Sequence, residues 1–377
     1  MIDQLPTGDA FTTRESTARR MYWPELDGLR FLAALLVFIA HAPILPLPFL
    51  KELNRFGWSG VDLFLVLSAF LLTRLLKAEY EGNGSIGVMH FYVRRMLRIW
   101  PLHWGFVSLM LLGQLSQNIR GLREAIGFWL SHLLFINNIV VSSVGFERRL
   151  PFTTHLWTIS LEEQFYIVIP LIVRSLLGRR WNTKDGWAAV GIGIVLLMGM
   201  RACCVLLQMP HPFVWVLPLR ADSILLGLFL GLTTFNGGLA GVRGIMCFAV
   251  GCVVLGVAAC LPSLEAPGWP QVVGYTVVDS GCALLVVGVL EKNFIGDFLA
   301  LPMFRYLGKI SFGLYVYHGL ALAIGKRVAV GFSHSGVIVF VVGFVLTVGF
   351  ASVSYQLFER RFLVLKERFS FVKSRPI

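Results

Sequence analysis

Charged residues are scarce in this chain, and their scarcity argues against a soluble globular protein. Asp, Glu, Lys and Arg make up 14% of the 377 residues, whereas soluble domains hold roughly 25%. So few charges cannot cover a water-facing surface of this size, and 56% of the residues are hydrophobic. The composition is typical of an integral membrane protein.

Acidic residues are the rarer of the two charge types. There are 21 Asp and Glu against 33 Lys and Arg, which gives a net charge of +12. In a soluble protein this excess would suggest a nucleic-acid partner. Here the Lys and Arg residues lie in short segments between apolar runs, as they do in the cytoplasmic loops of membrane proteins. We therefore expect membrane lipids as partners and no nucleic acid.

The sequence also lacks cysteines at the spacing of a metal site, and it lacks the pattern of a secretory signal. Six cysteines are scattered, mostly within apolar runs, and none has ligand spacing. They are Cys203, Cys204, Cys247, Cys252, Cys260 and Cys282. Residues 1–25 are polar and contain no apolar core of a signal peptide. We predict no metal, and a cytoplasmic tail over residues 1–25.

Long apolar runs are abundant, and roughly 17–23 residues is the length that crosses a membrane as a helix. The candidate runs lie near 28–46, 57–77, 99–115, 125–141, 160–177, 187–207, 213–234, 243–261, 270–290, 305–325 and 335–357. The run at 125–141 is the weakest, because Ser131, His132, Asn137 and Asn138 are costly in lipid.

The charge of the loops predicts how these runs are oriented. If 125–141 does not cross, most Lys and Arg fall on the same side as both basic ends of the chain. The sequence therefore predicts an all-α transmembrane bundle of about ten spans in the plasma (inner) membrane. Segment 125–141 would be re-entrant or interfacial, with both termini cytoplasmic. The predicted divisions are the tail over 1–25, a membrane domain over 26–358 and a basic cytoplasmic tail over 359–377.

The first run contains two titratable side chains, Arg30 and His41. They are eleven residues apart, so they share a helix face and lie about 16 Å apart along the axis. An imidazole can accept a proton from a hydroxyl near neutral pH, which makes His41 a candidate general base. Two structural alternatives stay open: Arg30 reaching to the membrane surface, and His41 as an interhelical hydrogen-bonding residue.

Asp62 opens the second run at a membrane depth near His41, because the two spans form a hairpin. We expect its carboxylate to orient the imidazole, as in hydrolytic triads. The alternative is a carboxylate that interacts with the dipole at the start of its own helix.

Arg95 and Arg98 precede the third run and share a helix face because they are three residues apart. Two guanidinium groups on one face suit a phosphate-rich ligand. The alternative is the ordinary enrichment of cytoplasmic ends in positive charge.

Two adjacent carboxylates open the fifth run, at Glu162 and Glu163. Ser160 and Glu163 have the spacing of a helix-capping box, which would account for Glu163. That assignment leaves Glu162 as the functional carboxylate, either on the acceptor substrate or beside His41.

Arg220 and Asp222 are two residues apart, so they point to different faces and each needs another partner. Arg201, at similar depth, is the expected partner of Asp222. Later in the chain, Tyr315 and His318 share a face and are predicted to line a cavity, with a buried, hydrogen-bonded His318 as the alternative.

In this order, these segments resemble the acyltransferase family 3 membrane proteins. The family's Arg/Lys-x10-His pattern is matched by Arg30 and His41, and its Arg-x-x-Arg signature by Arg95 and Arg98. Further matches lie at 57–71, 155–166, 219–227 and 307–318. Four positions depart from the family pattern, at Ala69, Thr158, Phe312 and Arg361.

The resemblance implies an O-acyltransferase in which His41 is catalytic, assisted by Asp62 and Glu162. It implies donor binding by Arg30, Arg95 and Arg98. It implies substrate contacts at six further positions, namely Trp157, Glu163, Arg220, Asp222, Tyr315 and His318. The expected donor is cytoplasmic acyl-CoA, most often acetyl-CoA. The expected acceptor is a carbohydrate or glycolipid outside the cytoplasm, such as exopolysaccharide, lipopolysaccharide or peptidoglycan.

Direct transfer with His41 as general base and transfer through an acyl-histidine both fit this arrangement. A transporter or flippase for a lipid-linked sugar is the main alternative function, because intramembrane charges would also suit it. It predicts broken helices in two matching halves, and the sequence shows no such repeat. A structural subunit of an export complex would leave the order of the polar motifs unexplained.

Overall fold

The computed structural model describes residues 21–44, 48–116, 121–145, 150–178, 183–210, 216–233, 242–262, 264, 268–291, 293–332 and 335–372. These residues form helices and connecting turns, as the composition predicts. Most of the predicted N-terminal tail, residues 1–20, and the last five residues of the chain lie outside the described part.

Helices dominate the described ranges. They are α1 (Pro24–His41), α2 (Pro48–Phe56), α3 (Ser59–Asn83), α4 (Val88–Leu115), α5 (Leu122–Leu133), α6 (Asn137–Val144), α7 (Trp157–Leu177), α8 (Thr183–Leu206), α9 (Asp222–Leu232), α10 (Val242–Ala259), α11 (Trp269–Leu290), α12 (Phe294–Leu299), α13 (Pro302–Lys309), α14 (Ser311–Ala329), α15 (Gly336–Ser354) and α16 (Arg360–Glu367).

Seven helical segments among the described residues are long and apolar enough to cross a membrane: α3, α4, α7, α8, α10, α11 and the α15–α16 run. The pair α13 and α14 adds an eighth if its bend of 71° lies within one span. Helix α9 is an apolar helix of only 11 residues. Helix α1 carries Glu25, Asp27 and Arg30 near its start, so its composition alone does not mark it as a span.

The segment predicted not to cross forms two short helices. Helix α5 has 12 residues and α6 has 8. At 1.5 Å per residue they extend about 18 Å and 12 Å, less than the roughly 30 Å of the hydrocarbon layer. Neither helix can cross the membrane alone.

Helix α1 lies inside the bundle and contacts α2, α3, α11, α12, α13 and α14. Glycines allow close approach to its backbone, since a side chain at Gly60 of α3 would meet the carbonyl of Ala33. A side chain at Gly308 of α13 would likewise collide with the backbone of Asp27. This packing places the polar residues of α1 at the centre of the molecule.

The remaining long helices fall into central and peripheral groups. The apolar windows of α3 and α11 are 67% and 61% buried within the protein, whereas those of α8 and α10 are only 17% buried. The windows of α15–α16 and α4 are likewise only 22% and 28% buried. Since an apolar helix face that is not covered by protein needs lipid, these four segments face lipid over most of their surface. Helices α3, α7 and α11 therefore surround the centre of the protein together with α1.

Two helix boundaries differ from the sequence-based expectation. Helix α7 begins at Trp157, after a 3₁₀ turn at Thr154–Leu156, and its start has no side-chain cap. The predicted capping box of Ser160 and Glu163 is therefore wrong, because both residues lie within the helix. At the other end, α15 continues through a π-helical turn at Tyr355–Glu359 into α16, which packs on α4.

Candidate active site

Two neighbouring cavities contain most of the predicted site residues. The first, here called the arginine cavity, has a volume of about 140 Å³, and its charged lining residues are Asp27, Arg30, Arg95, Arg98, Glu162 and Lys366. The second, here called the histidine cavity, has a volume of about 500 Å³. Its polar lining residues are His41, Arg55, Thr154, His155, Thr158, Arg220, Tyr275 and Tyr315, together with Trp58 and Trp157.

The arginine cavity brings together the three cations that the sequence singled out. Arg30 comes from α1, where it lies 3.5 Å from Asp27, and Arg95 and Arg98 come from α4. Lys366 of α16 joins them. Sequence reasoning missed Lys366, because its segment reads as a basic tail and only the packing of α16 on α4 brings it to the cavity.

Glu162 also lines the arginine cavity, on α7. Ser68 donates a hydrogen bond of 2.7 Å to its Oε1, and the Tyr166 hydroxyl donates to the same oxygen. It does not line the histidine cavity, so of its two expected roles the one beside His41 has no support in the geometry. The neighbouring Glu163 accepts a bond of 2.9 Å from Nε1 of Trp100, and its other oxygen is buried without a partner among the described residues.

His41 is the last residue of α1 and faces the histidine cavity, where its side chain is exposed. Its Nδ1 lies 2.9 Å from the carbonyl oxygen of Val37. Since a carbonyl only accepts, Nδ1 carries the proton and the neutral ring keeps its lone pair on Nε2. This is the tautomer that a general base in the cavity requires.

Three imidazoles form a cluster at this point. The ring of His318 lies 4.8 Å from that of His41 and 4.1 Å from that of His155, between ring centroids. His318 is buried, and its Nδ1 is 2.7 Å from the carbonyl oxygen of Tyr315. His318 is therefore buried and hydrogen-bonded, which was the alternative to the prediction that it lines a cavity. Within the described part of the chain, no group of three or more His, Cys, Asp or Glu residues has an arrangement that could hold a metal ion.

His155 was not among the predicted site residues. It precedes Trp157 by two positions, and nothing in its spacing connects it to His41. Only the turn at Thr154–Leu156 places it on the cavity wall, 6.1 Å from the ring of His41. The single available signal in the sequence was that His155 is the first residue of the motif at 155–166.

Asp62 does not orient His41, and that expectation is wrong. Its carboxylate is completely buried and forms an ion pair with Arg220. The imidazole is oriented by the carbonyl of Val37 instead. The guanidinium of Arg220 also lies over the ring of Tyr275, 4.0 Å from its centroid. Asp279 of α11, absent from the sequence prediction, is fully buried, and neither of its carboxylate oxygens has a hydrogen-bond donor among the described residues.

Asp222 has the partner that the sequence predicted. Arg201 donates to both of its oxygens, at 2.5 Å and 3.0 Å, and both side chains are fully buried. Thr276 of α11 donates to the same carboxylate at 2.6 Å. Asp222 lines neither cavity, so its surroundings are those of a structural ion pair.

A thin wall separates the two cavities. Val61, Thr158 and Tyr315 contribute to the lining of both. The hydroxyls of Thr158 and Tyr315 are 2.5 Å apart, and the Tyr315 hydroxyl also donates to the carbonyl of His155 at 2.6 Å. Tyr315 therefore stands at the boundary between the cationic cavity and the cavity that contains His41.

Comparison with known proteins identifies a family for this chain. The family described as an acyltransferase domain matches residues 23–356. A protein of Staphylococcus aureus strain MSSA476, named as a predicted O-acetyltransferase, is 27% identical over 359 residues, which are 90% of this chain and 57% of that protein. The peptidoglycan O-acetyltransferase OatA of Listeria monocytogenes is 27% identical over 328 residues, 81% of this chain and 50% of that protein. No solved structure matches the chain.

The fold and the site together define the class of protein. It is a multi-pass helical membrane protein in which an exposed imidazole lies beside a cationic cavity. The chain belongs to this acyltransferase family, which its sequence motifs also indicate. It spans about half the length of the curated relatives it matches.

Proposed function

We propose that this protein transfers an acyl group, most often acetyl, from cytoplasmic acyl-CoA to a hydroxyl of a carbohydrate outside the cytoplasm. The observation that carries the proposal is the position of His41. Its Nε2 is available in the histidine cavity, and only the wall of Thr158 and Tyr315 separates that cavity from the arginine cavity.

The proposed topology has ten spans in the plasma membrane. These are the seven long segments, the bent pair α13 and α14, and the two helices α1 and α9. The excess of Lys and Arg in the alternate loops supports cytoplasmic ends for the chain. In this orientation the arginine cavity opens toward the cytoplasm and the histidine cavity toward the outside. The membrane domain then extends beyond residue 358, because α16 lines the arginine cavity through Lys366.

The arginine cavity suits the donor. Acyl-CoA carries several phosphates, and guanidinium groups bind phosphate through paired, charge-assisted hydrogen bonds. We assign phosphate binding to Arg30, Arg95, Arg98 and Lys366, with the acyl end of the donor directed toward Tyr315. Glu162, held by Ser68 and Tyr166, would contact the donor arm rather than the sugar.

The chemistry follows from the tautomer of His41. Nε2 removes the proton of the acceptor hydroxyl, whose oxygen attacks the thioester carbonyl. The carbon–sulfur bond then breaks, and the thiolate of the donor takes the proton from the imidazolium. The hydrogen bond from Nδ1 to Val37 holds the ring in place throughout and stabilises its charged form. Transfer through an acyl-imidazole would use the same atom, and mass spectrometry of a trapped intermediate separates the two routes.

The acceptor is assigned by relationship. One relative is named a peptidoglycan O-acetyltransferase, so its acceptor is a cell-surface glycan. We propose an acceptor of this general class, among exopolysaccharide, lipopolysaccharide, peptidoglycan and similar carbohydrates.

The test uses the purified protein in lipid vesicles, with labelled acetyl-CoA and candidate glycans. We expect the intact protein to label a glycan and His41→Ala to lose transfer by at least about 100-fold, the lower contribution of a general base. His90→Ala is the matched control, because His90 is an exposed histidine of α4 far from the histidine cavity. Full transfer by folded His41→Ala would contradict the proposed role. Movement of glycan across the vesicle without labelling would instead support a carrier.

A further inference from the structure

The charged side chains among the described lining of the histidine cavity are both cationic, Arg55 and Arg220. Arginine and tryptophan side chains only donate, and both types line the cavity, at Arg55, Arg220, Trp58 and Trp157. Among the described lining residues there is no Asp or Glu to offset this charge, and no Asn or Gln. A lining whose described charges are both positive favours an anionic ligand over a neutral one.

Arg220 is rigidly placed on one side of this cavity. Its guanidinium pairs with Asp62 and stacks on Tyr275 at 4.0 Å, and its Nε is buried without a partner among the described residues. Asp62 itself does not line the cavity. The positive group is therefore presented to the cavity and the carboxylate lies behind it. An anion reaching this guanidinium would be shielded from water, where charge-assisted hydrogen bonds are strongest.

Arg55 supplies a second guanidinium to the same cavity. It lies on the amphipathic helix α2, pairs with Glu52 at 2.9 Å and donates to the carbonyl of Ala259 at the end of α10. Glu52, like Asp62, is outside the cavity lining. Arg55 is exposed, so a ligand can reach it directly.

Aromatic rings line the same cavity as the two arginines. Phe56, Trp58, Trp157 and Tyr275 all line the cavity and offer flat apolar faces of the kind that ligand sites use. A volume of about 500 Å³ accommodates a small saccharide. One cavity thus contains aromatic rings that can stack on a sugar, two arginines that can bind an anion, and His41, which can accept a proton from a hydroxyl.

We propose that the acceptor is an acidic saccharide, with a carboxylate or phosphate bound by Arg220 and Arg55 while a nearby hydroxyl meets His41. This inference deepens the proposed function and rests on it. It predicts that the enzyme discriminates acceptors by charge, because an anion forms stronger, charge-assisted hydrogen bonds with the two guanidinium groups than a neutral hydroxyl does.

The test compares matched oligosaccharides that differ only in charge: one containing a uronic acid, its carboxyl-reduced neutral form, and a sugar-phosphate analogue. Equilibrium binding to the purified protein and transfer from labelled acetyl-CoA are both measured, at low and high salt. We expect an acidic glycan to bind at least about tenfold more tightly than the neutral form, with the difference smaller at high salt. Whether the carboxylate or the phosphate form binds better identifies the anionic group.

Variants of the arginines separate this inference from a general loss of folding. Arg55→Gln should reduce the preference for the acidic glycan by about tenfold. Arg220→Lys keeps the charge but loses the planar fork and the stacking on Tyr275, so it should retain only part of the preference. Arg327→Gln, at an exposed arginine of α14, is the matched control and should keep the full preference. Equal binding of both forms, binding of neither, or an equal effect of Arg55→Gln on both forms would overturn the inference. Acidic glycan that binds with this preference but is never acylated would count against the proposed function and leave the inference standing.

Discussion

At the scale of single residues, the partners of the buried charges show what a sequence can and cannot predict. The pairing of Arg201 with Asp222 was predictable, because the spacing of Arg220 and Asp222 excludes a mutual contact and both ends of the pair lie at similar depth. The pairing of Asp62 with Arg220 was not. Helix register gives the depth of Asp62 but not its direction around the axis, and Arg220 lies in the turn that precedes α9.

The ion pair of Arg201 and Asp222 allows a prediction about stability. Asp222→Asn leaves a buried guanidinium without its counter-charge, which costs about 3–5 kcal/mol. We expect a clearly lower thermal unfolding midpoint in detergent. The double variant Arg201→Met with Asp222→Leu removes both charges and should recover most of the loss. If the single variant unfolds like the intact protein, the pair does not have the structural role assigned to it.

The hydroxyl pair of Thr158 and Tyr315 allows a prediction about selectivity. Thr158→Val keeps the volume of the side chain but removes one of the two hydrogen bonds that hold the Tyr315 hydroxyl in the wall. Losing one such bond costs about 1 kcal/mol. The wall should open more readily, so water should reach the thioester and acyl-CoA hydrolysis should rise severalfold relative to transfer.

The release of free thiol without glycan labelling measures this ratio. Thr347→Val is the matched control, because Thr347 is also a buried threonine but bonds to the carbonyl of Gly343 in α15. An unchanged ratio in Thr158→Val would show that the wall does not limit access to the donor.

At the scale of helices, the apolar runs predicted where most elements lie, and packing determined the rest. The run at 305–325 became two helices with a sharp bend, and in the described part of the run at 213–234, residues 216–233, the α-helix α9 has 11 residues. Hydropathy records the length of an apolar segment but not the breaks that polar contacts impose. The extension of α15 into α16 was missed because a basic, amphipathic segment after a span reads as a tail.

Close packing of α13 on α1 gives the prediction at this scale. Gly308→Ala would gain about 1 kcal/mol of helix propensity. However, its new Cβ would collide with the backbone of Asp27, and overpacking against backbone costs about 1–3 kcal/mol or more. We therefore expect net destabilisation and a displaced α1, with transfer activity reduced because Arg30 and His41 move with that helix.

Gly105→Ala in α4 is the control, because nothing lies within 4 Å of the position its Cβ would occupy. Thermal unfolding and transfer should both be unchanged or slightly improved in this variant. Equal behaviour of the two alanine variants would show that the contact of α13 with α1 is not tight in solution.

At the scale of the whole molecule, the two cavities differ in the charged side chains that line them, and the proposed substrates follow this difference. Long apolar runs predicted a multi-pass bundle correctly, and the order of the motifs predicted the family. Neither could show that the predicted residues divide between two cavities with a shared wall. That division arises from the central position of α1, which carries Arg30 into one cavity and His41 into the other.

Cysteine labelling tests the orientation directly. In a background without the six native cysteines, we would place single cysteines at exposed positions, Glu52→Cys in α2 and Ser85→Cys between α3 and α4. A membrane-impermeant thiol reagent added to intact cells should label position 52 only, and position 85 should react after the membrane is opened. This follows because α3 crosses once between them and the basic loops are retained inside. The reverse pattern would place the arginine cavity on the outer side, where no cytoplasmic acyl-CoA could reach it.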